Sequence, residues 1–215
     1  MARTLYSLML DEAVVREVDA LAHRLGTNRS NLINNILAEY VDFTTPEQRI
    51  RSVLSAIDRL MQPSPDLIPF FAPNAKSVSL KSALDYKYRP TVKYEVALYQ
   101  GGEPVFGTLN VLFRTRSAEL LSEMTAFFRF WAQMEGSLLG QNGETPPTAA
   151  LEDGKFTRAL RRPTVPFDEE TLAKAITDYI KLFDKCLKAY LAGQAGAPEL
   201  TAAYRRYLKD NEMLL

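Results

Sequence analysis

The sequence is poor in the residues on which many functional sites depend. It contains one cysteine and one histidine in 215 residues. The single cysteine, Cys186, excludes a disulfide framework within the chain and fits a reducing compartment. A transition-metal site needs more ligands than one cysteine and one histidine supply. We therefore interpret His23 as a surface side chain and predict neither a metal nor a cofactor.

An excess of charge of one sign is also lacking, since 26 basic residues balance 26 acidic ones. No chain-wide field therefore favours nucleic acid or a membrane surface. The longest apolar stretches are interrupted by Arg, Glu or Gln, and the first four residues lead into no apolar segment of signal-peptide length. We expect a cytoplasmic protein with no membrane partner.

The familiar sequence motifs of catalysis are absent as well. The chain has no Gly-x-Ser-x-Gly, no phosphate-binding loop and no dinucleotide fingerprint, and Gly101-Gly102 is typical of a hairpin turn. We predict no catalytic residues and expect that the protein is not an enzyme. The chain is nevertheless globular, with 47% hydrophobic residues, and is long enough for one large domain or two modest ones.

The most informative pattern lies in the first 43 residues. Thr4–Leu10 is predicted as a strand, and two helices of about a dozen residues follow, separated by Gly26–Ser30. Asp11 suits the cap of the first helix and Asn28 the cap of the second, while Gly26 suits the end of the first. A lone strand cannot satisfy its own backbone groups, so we expect it to pair with the same strand of a second copy.

This segment resembles the ribbon-helix-helix family of MetJ, Arc and CopG type over residues 3–43. The resemblance lies in the strand that leads directly into Asp11-Glu12, in the apolar repeat of the first helix, and in Gly26-Thr-Asn-Arg-Ser30 before Ile33. It implies a tight homodimer whose antiparallel ribbon enters the major groove of DNA. The outward strand side chains would touch base edges, and the start of the second helix would hold a phosphate.

Strand alternation selects the residues that would read DNA. Tyr6, Leu8 and Leu10 are predicted to face the core. The predicted DNA-binding residues are Arg3, Leu5, Ser7 and Met9 on the ribbon and Asn28, Arg29 and Ser30 at the second helix, where free amides favour an anion. The sequence departs from the family at Leu5 and Met9, which offer only apolar contact. Residues 1–43 also carry four basic and six acidic groups, a net charge of −2, which predicts weak binding by one dimer alone.

The rest of the chain is predicted to be α+β. Thr45 and Pro46 begin a helix to about Met61, followed by a proline-rich linker. Strands are expected at 78–88, 91–99, 105–114 and 156–160 and long helices at 117–139, 168–192 and 198–209. The predicted fold is thus a ribbon-helix-helix module followed by an antiparallel three- to four-stranded sheet packed with long helices. The predicted domains are 1–43, 44–75 and 76–215, the last for oligomerisation or ligand sensing.

Two features of the C-terminal part leave alternatives open. Two clusters of basic residues follow predicted strands: Arg114, Arg116, Lys155, Arg158, Arg161 and Arg162. They would bind an acidic ligand or additional DNA, or they would form a solvated face. Aromatic residues are dense between Tyr86 and Trp131. They would enclose a small-molecule pocket or form a packed core or a subunit interface, and packing is favoured.

Together these observations predict a homodimeric DNA-binding transcriptional regulator, a repressor. Its expected partners are DNA and a second copy of the chain, with a tetramer of two dimers and a small-molecule effector as further options. The alternative is an interaction protein, such as a scaffold or antitoxin-like component, in which the ribbon-helix-helix serves only dimerisation. Antitoxins of this family usually carry a short flexible tail, so the long C-terminal region argues against that variant.

Overall fold

The structure is a computed structural model of a single chain. It describes residues 5–62, 64, 66–70, 77–84, 90–101, 104–152, 154–211, 213 and 215. The chain divides into two compact units, Met1–Arg49 and Ile50–Leu215. The division falls within a helix, α3 (Pro46–Met61).

Unit 1 is helical and contains α1 (Glu12–Arg24), α2 (Arg29–Tyr40) and the start of α3. The predicted caps are present: the Asp11 side chain accepts a hydrogen bond from the Ala13 amide at 2.7 Å, and the Asn28 side chain accepts one from the Asn31 amide at 2.9 Å. Gly26 ends α1 with φ of +63°, a conformation that glycine adopts without a side-chain clash. Helix start and stop residues therefore determine the α1–α2 turn.

The predicted N-terminal strand is not present in the single chain. Residues 5–10 have no regular secondary structure, so unit 1 by itself is a set of helices and not a ribbon-helix-helix. The physical reason is that a strand requires a partner for its backbone groups, and the described part of unit 1 contains no strand that could pair with it. Arg3, the first predicted DNA contact, and Thr4 lie outside the described residues.

Unit 2 combines one antiparallel sheet with helices. The strands are β1 (Leu67–Pro69), β2 (Ser77–Ala83), β3 (Thr91–Leu98), β4 (Val105–Phe113), β5 (Ala149–Glu152) and β6 (Lys155–Arg161). Their order in the sheet is β1-β2-β3-β4-β6-β5, and each neighbouring pair is antiparallel. The helices that follow α3 are α4 (Ala118–Gln141), α5 (Glu169–Leu191) and α6 (Ala197–Asp210).

The predicted α+β class and antiparallel sheet are therefore confirmed, but the predicted number of strands is too low. Both edge strands, β1 and β5, were missed. β1 has only three residues and ends in a proline, and β5 reads Ala-Ala-Leu-Glu, without a β-branched or aromatic residue. Pairing with β2 and β6 stabilises these strands more than their own sequence does.

The helices cover one face of the sheet. The strand predicted at 91–99 is observed as β3, which alternates as a half-buried strand does, with Val92, Tyr94, Val96 and Leu98 all buried on that face. Aromatic rings join the layers: the ring centroid of Phe128 in α4 lies 5.5 Å from that of Phe113 and 5.0 Å from that of Phe156. In α5, the ring centroid of Phe183 lies 6.2 Å from that of Tyr94. α6 packs behind these helices, where Tyr204 lies 5.6 Å from Trp131.

Candidate nucleic-acid interface

The side chains predicted to read bases lie in an exposed segment. Leu5 and Met9 are almost fully exposed and Ser7 is exposed, whereas the exposed fractions of Leu8 and Leu10 are 52% and 45%. Of the three predicted core residues, Leu8 and Leu10 are more covered than Leu5 and Met9, whereas the Tyr6 side chain is 80% exposed.

The start of α2 presents free backbone donors. The side chain of Asn28 already accepts from the Asn31 amide, and its carbonyl accepts from the Leu32 amide at 3.0 Å. The amides of Arg29 and Ser30 donate to no group in the described part of the chain. The Ser30 side chain is exposed beside them. Two amides and a hydroxyl at the positive end of a helix can bind an anion such as a phosphate.

Arg29 is engaged with another side chain. Its Nε donates to Oδ1 of Asp19 at 2.6 Å, and its Nη2 donates to Oδ2. Through this hydrogen bond Arg29 lowers the pKa of Asp19, and Asp19 raises the pKa of Arg29. Asp19 lies ten residues before Arg29 on α1, and nothing in the spacing of the sequence indicates the pairing. Sequence reasoning therefore missed Asp19 as a residue of this site.

The other charges of unit 1 give little additional positive potential. Arg16 forms an ion pair with Glu12 at 2.9 Å on the surface of α1. Arg24 is exposed, and it forms no ion pair with the residues described in the structure. Of the described arginines before α3, therefore, Arg16 and Arg29 are paired with carboxylates and Arg24 is not.

Unit 1 buries little of its apolar surface in the single chain. Of the apolar residues that the structure describes in this unit, only Ala22, Leu32 and Ala38 are buried. Twelve of its described large apolar side chains are exposed: Leu5, Tyr6, Leu8, Met9, Leu10, Val14, Leu25, Ile36, Leu37, Tyr40, Val41 and Phe43. They include residues of both α1 and α2. Apolar side chains exposed in this number are typical of a surface that another molecule covers.

One predicted surface cation, Arg158, is buried in unit 2, so its assignment to an exposed basic cluster is wrong. It is 1% exposed, and its Nη2 donates to Oε1 of Glu135 at 2.9 Å and to the backbone oxygen of Leu215 at 2.6 Å. Tyr204 donates to the same carboxylate at 2.8 Å and Tyr179 at 3.2 Å. Burial alone would lower the pKa of Arg158, but the Glu135 carboxylate raises it, and the guanidinium remains charged.

The remaining predicted cations do not form one site. Lys155 pairs with Leu112 at one end of β6, and Arg161 pairs with Val105 at the other. Six residues of strand separate these positions by about 20 Å. Arg114 and Arg116 lie just beyond the end of β4, on the Lys155 side of the sheet. A small anionic ligand therefore cannot contact Lys155 and Arg161 at the same time.

Most of the described aromatic residues of this region form a core, as the packing interpretation predicted. Tyr99 is an exception, since its side chain is 47% exposed, and Tyr86 and Tyr88 lie outside the described residues. Phe127, Phe128 and Trp131 are fully buried. Phe127 stacks on Trp131 with a centroid distance of 5.6 Å, and both rings contact Phe183. Three cavities of unit 2 have volumes of about 860, 110 and 530 Å³, and none of the described residues that line them is aromatic. The aromatic region therefore stabilises unit 2.

His23 is exposed in the last turn of α1, as predicted. Among the described residues, no group of three His, Cys, Asp or Glu side chains is placed to hold a metal ion. None of the helices in the described ranges combines the length and apolar character needed to cross a bilayer.

Comparison of the chain with protein-family models, with curated proteins and with solved structures yields no match.

Proposed function

We propose that the protein is a homodimeric DNA-binding regulator, most simply a repressor, in which residues 4–10 of two chains pair as an antiparallel ribbon. The observation that carries this proposal is the uncovered apolar surface of unit 1. Its twelve exposed apolar side chains come from the N-terminal segment, α1, α2 and the residues just after α2. A second copy would cover most of them, leaving Leu5 and Met9 on the outer face, and would supply the missing partner strand.

The ribbon explains why the segment before α1 is apolar on both of its faces. Leu8 and Leu10 would join the shared core with Val14 and Ile36, which are 48% and 46% exposed in one chain. Leu5, Ser7 and Met9 would remain on the outer face, together with Arg3. A two-stranded ribbon fits the major groove, where apolar side chains contact thymine methyl groups and serine bonds to several bases.

The start of α2 would position the ribbon by binding a phosphate. The free amides of Arg29 and Ser30 and the Ser30 hydroxyl are the donors available for it. Arg29 would exchange its Asp19 carboxylate for the phosphate. Such contacts orient a protein on DNA without reading its sequence.

The charge of the module indicates that one dimer binds DNA weakly. Residues 1–43 carry a net charge of −2, and phosphate contacts normally dominate affinity for DNA. Assembly of dimers through unit 2 on repeated sites would add avidity. We therefore propose an operator with repeated half-sites.

Dimer formation is tested by sedimentation of the full chain. Ile36→Glu places a charge in the proposed interface and should convert the dimer to a monomer. Ile68→Glu is the matched control, because Ile68 is 62% exposed in unit 2; this variant should remain dimeric. A wild-type monomer at micromolar concentration would count against the ribbon.

DNA binding is tested by fluorescence anisotropy with a duplex from the region upstream of the gene. We expect salt-dependent binding, and Arg29→Gln should reduce the salt slope by about 2 per dimer, one for each lost phosphate contact. Arg16→Gln is the control, since Arg16 pairs with Glu12 away from α2. No salt-dependent binding at low ionic strength would reject the repressor function.

One observation favours a second candidate function. The pairing of Arg29 with Asp19 leaves the predicted phosphate site with a neutralised cation. This is the arrangement expected if the module only dimerises and the protein is an interaction or scaffold component. A stable dimer that binds no duplex, and that co-purifies with the product of a neighbouring gene, would favour this alternative.

A further inference from the structure

A groove of about 860 Å³ lies on unit 2 between the C-terminal end of α4 and the exposed side of α6. It lies outside the aromatic core and includes none of the basic residues that the sequence pattern singled out. Its volume lies within the range of cavities that bind small molecules. Its lining residues on α6 run from Ala197 to Lys209, a length of about 18 Å at the helical rise.

One end of the groove is cationic. Arg205, Arg206 and Lys209 line it and are exposed, and none of them forms an ion pair with any residue that the structure describes. No acidic residue is among the described residues that line the groove. Three cations within one and a half turns of helix therefore have no ion-pair partner among the described residues. Arginine side chains offer forked donors that match carboxylate and phosphate oxygens.

The other end of the groove is mainly apolar. Ala197, Pro198 and Ala202 line this part of α6, and Leu138 of α4 also lines the groove. Gln141 and Asn142, at the end of α4, add side-chain amides to the lining. The polarity of the groove thus changes along α6, from an apolar surface with neutral donors to a cluster of positive charges.

We propose that this groove binds a small organic anion, a phosphate monoester or a carboxylate with an apolar body. The anionic group contacts Arg205, Arg206 and Lys209, and the apolar body lies against Pro198, Ala202 and Leu138. Duplex DNA fits less well, because its regularly spaced phosphates require cations distributed along the contact, and here all three lie at one end. This site does not depend on the DNA-binding function proposed above.

The test is calorimetric titration of the full chain with phenyl phosphate, which carries both an anionic group and an apolar ring. We expect saturable binding, with weaker binding of inorganic phosphate and none of phenol. The double variant Arg205→Gln/Arg206→Gln should bind phenyl phosphate at least about tenfold more weakly, since it loses two charge-assisted contacts. The matched control Arg114→Gln/Arg116→Gln removes two exposed arginines elsewhere in unit 2 and should bind as the wild type does.

A second variant separates the two ends of the groove. Ala202→Trp fills the apolar end from an exposed position and leaves the cations in place; it should lose the preference for phenyl phosphate over inorganic phosphate. Equal binding by wild type and the arginine double variant would overturn the proposal, as would the absence of saturation. If phenyl phosphate did not saturate and a short duplex of unrelated sequence bound the wild type but not the double variant, the three cations would be a DNA contact and not a small-molecule site.

Discussion

Arg29, the first residue of α2, donates two hydrogen bonds to the carboxylate of Asp19 in α1, with Nε 2.6 Å from Oδ1. The contact joins the two helices of unit 1 across their turn. It also places a carboxylate at the position where a DNA phosphate would bind. The guanidinium therefore joins the two helices, and the Asp19 carboxylate would compete with a phosphate for it.

Asp19→Asn should strengthen DNA binding because it releases Arg29 and removes one negative charge beside the phosphate site. We expect an increase in affinity of about two- to fivefold per chain, the range associated with one exposed ion pair. Fluorescence anisotropy at fixed salt measures it. Glu12→Gln removes the same charge from the same helix, where the partner is Arg16, and should change affinity less. Equal affinities for wild type and Asp19→Asn would mean that Arg29 does not contact DNA.

The buried ion pair of unit 2 predicts a large loss of stability when it is broken. Glu135→Gln leaves the Arg158 guanidinium without a counter-charge at a position that is 1% exposed, which should cost about 3–5 kcal/mol. Tyr204→Phe removes one hydrogen bond to Glu135 and should cost about 1–2 kcal/mol.

Urea unfolding followed by Trp131 fluorescence measures both losses. Trp131 is the only tryptophan, is fully buried, and donates to the Tyr179 hydroxyl at 3.0 Å beside the ion pair. Lys174→Gln breaks an exposed ion pair with Asp178 and serves as the control, with an expected change below about 1 kcal/mol. A similar unfolding midpoint for Glu135→Gln and Lys174→Gln would contradict the role assigned to Glu135.

Much of unit 2 could be predicted from local sequence. The alternation of Val92, Tyr94, Val96 and Leu98 identified β3, and the apolar repeat around Trp131 identified α4. Alternation along β6 also indicates that Arg158 is buried. Side chains two residues apart on a strand lie on the same face, and Phe156 and Leu160, on either side of Arg158, are both buried. A charged residue on the buried face of a strand requires a partner, and that partner, Glu135, is 23 residues away.

The candidate site was less predictable for a related reason. Capping by Asn28 depends on residues next to it in sequence, and it was found where expected. The pairing of Arg29 with Asp19 depends on how α1 and α2 pack, which local patterns do not specify. The ribbon depends on a second chain, so a single chain shows only exposed apolar residues at 5–10.

The ends of the first two helices predict opposite effects of glycine substitutions. The turn that follows α1 contains Gly26 with φ of +63°, and the turn that follows α2 contains Asp42 with φ of +52°. In both turns the next amide bonds back to the helix, from Thr27 to the Ala22 carbonyl and from Phe43 to the Ala38 carbonyl. The two turns therefore use the same left-handed cap, once with glycine and once without.

Gly26→Ala should destabilise unit 1 by about 1 kcal/mol, because a side chain is strained at that backbone angle. Asp42→Gly should stabilise it by up to about 1 kcal/mol for the same reason. Thermal unfolding by circular dichroism measures the two changes. Asp42→Ala is the control for loss of the carboxylate, and it should not be stabilising. A stabilising effect of equal size in Asp42→Ala would assign the gain to charge and not to backbone strain.

Cys186 predicts how stability depends on alkaline pH. The thiol is 4% exposed, and burial raises its pKa from the ordinary value of 9.0 to about 11. Between these values the unfolded chain releases the proton and the folded protein keeps it. The stabilising contribution is therefore fully present below pH 9.0 and is lost as the pH rises through about 11.

Cys186→Ala removes this titration while it leaves the buried tyrosines in place. Wild type should lose on the order of 2–3 kcal/mol more stability than Cys186→Ala between about pH 8 and pH 11. Urea unfolding at a series of pH values measures the difference. Ionisation of the tyrosines contributes to both proteins and cancels in the comparison. Parallel stability curves for the two proteins would mean that the folded chain admits solvent or a counter-charge to the Cys186 thiolate.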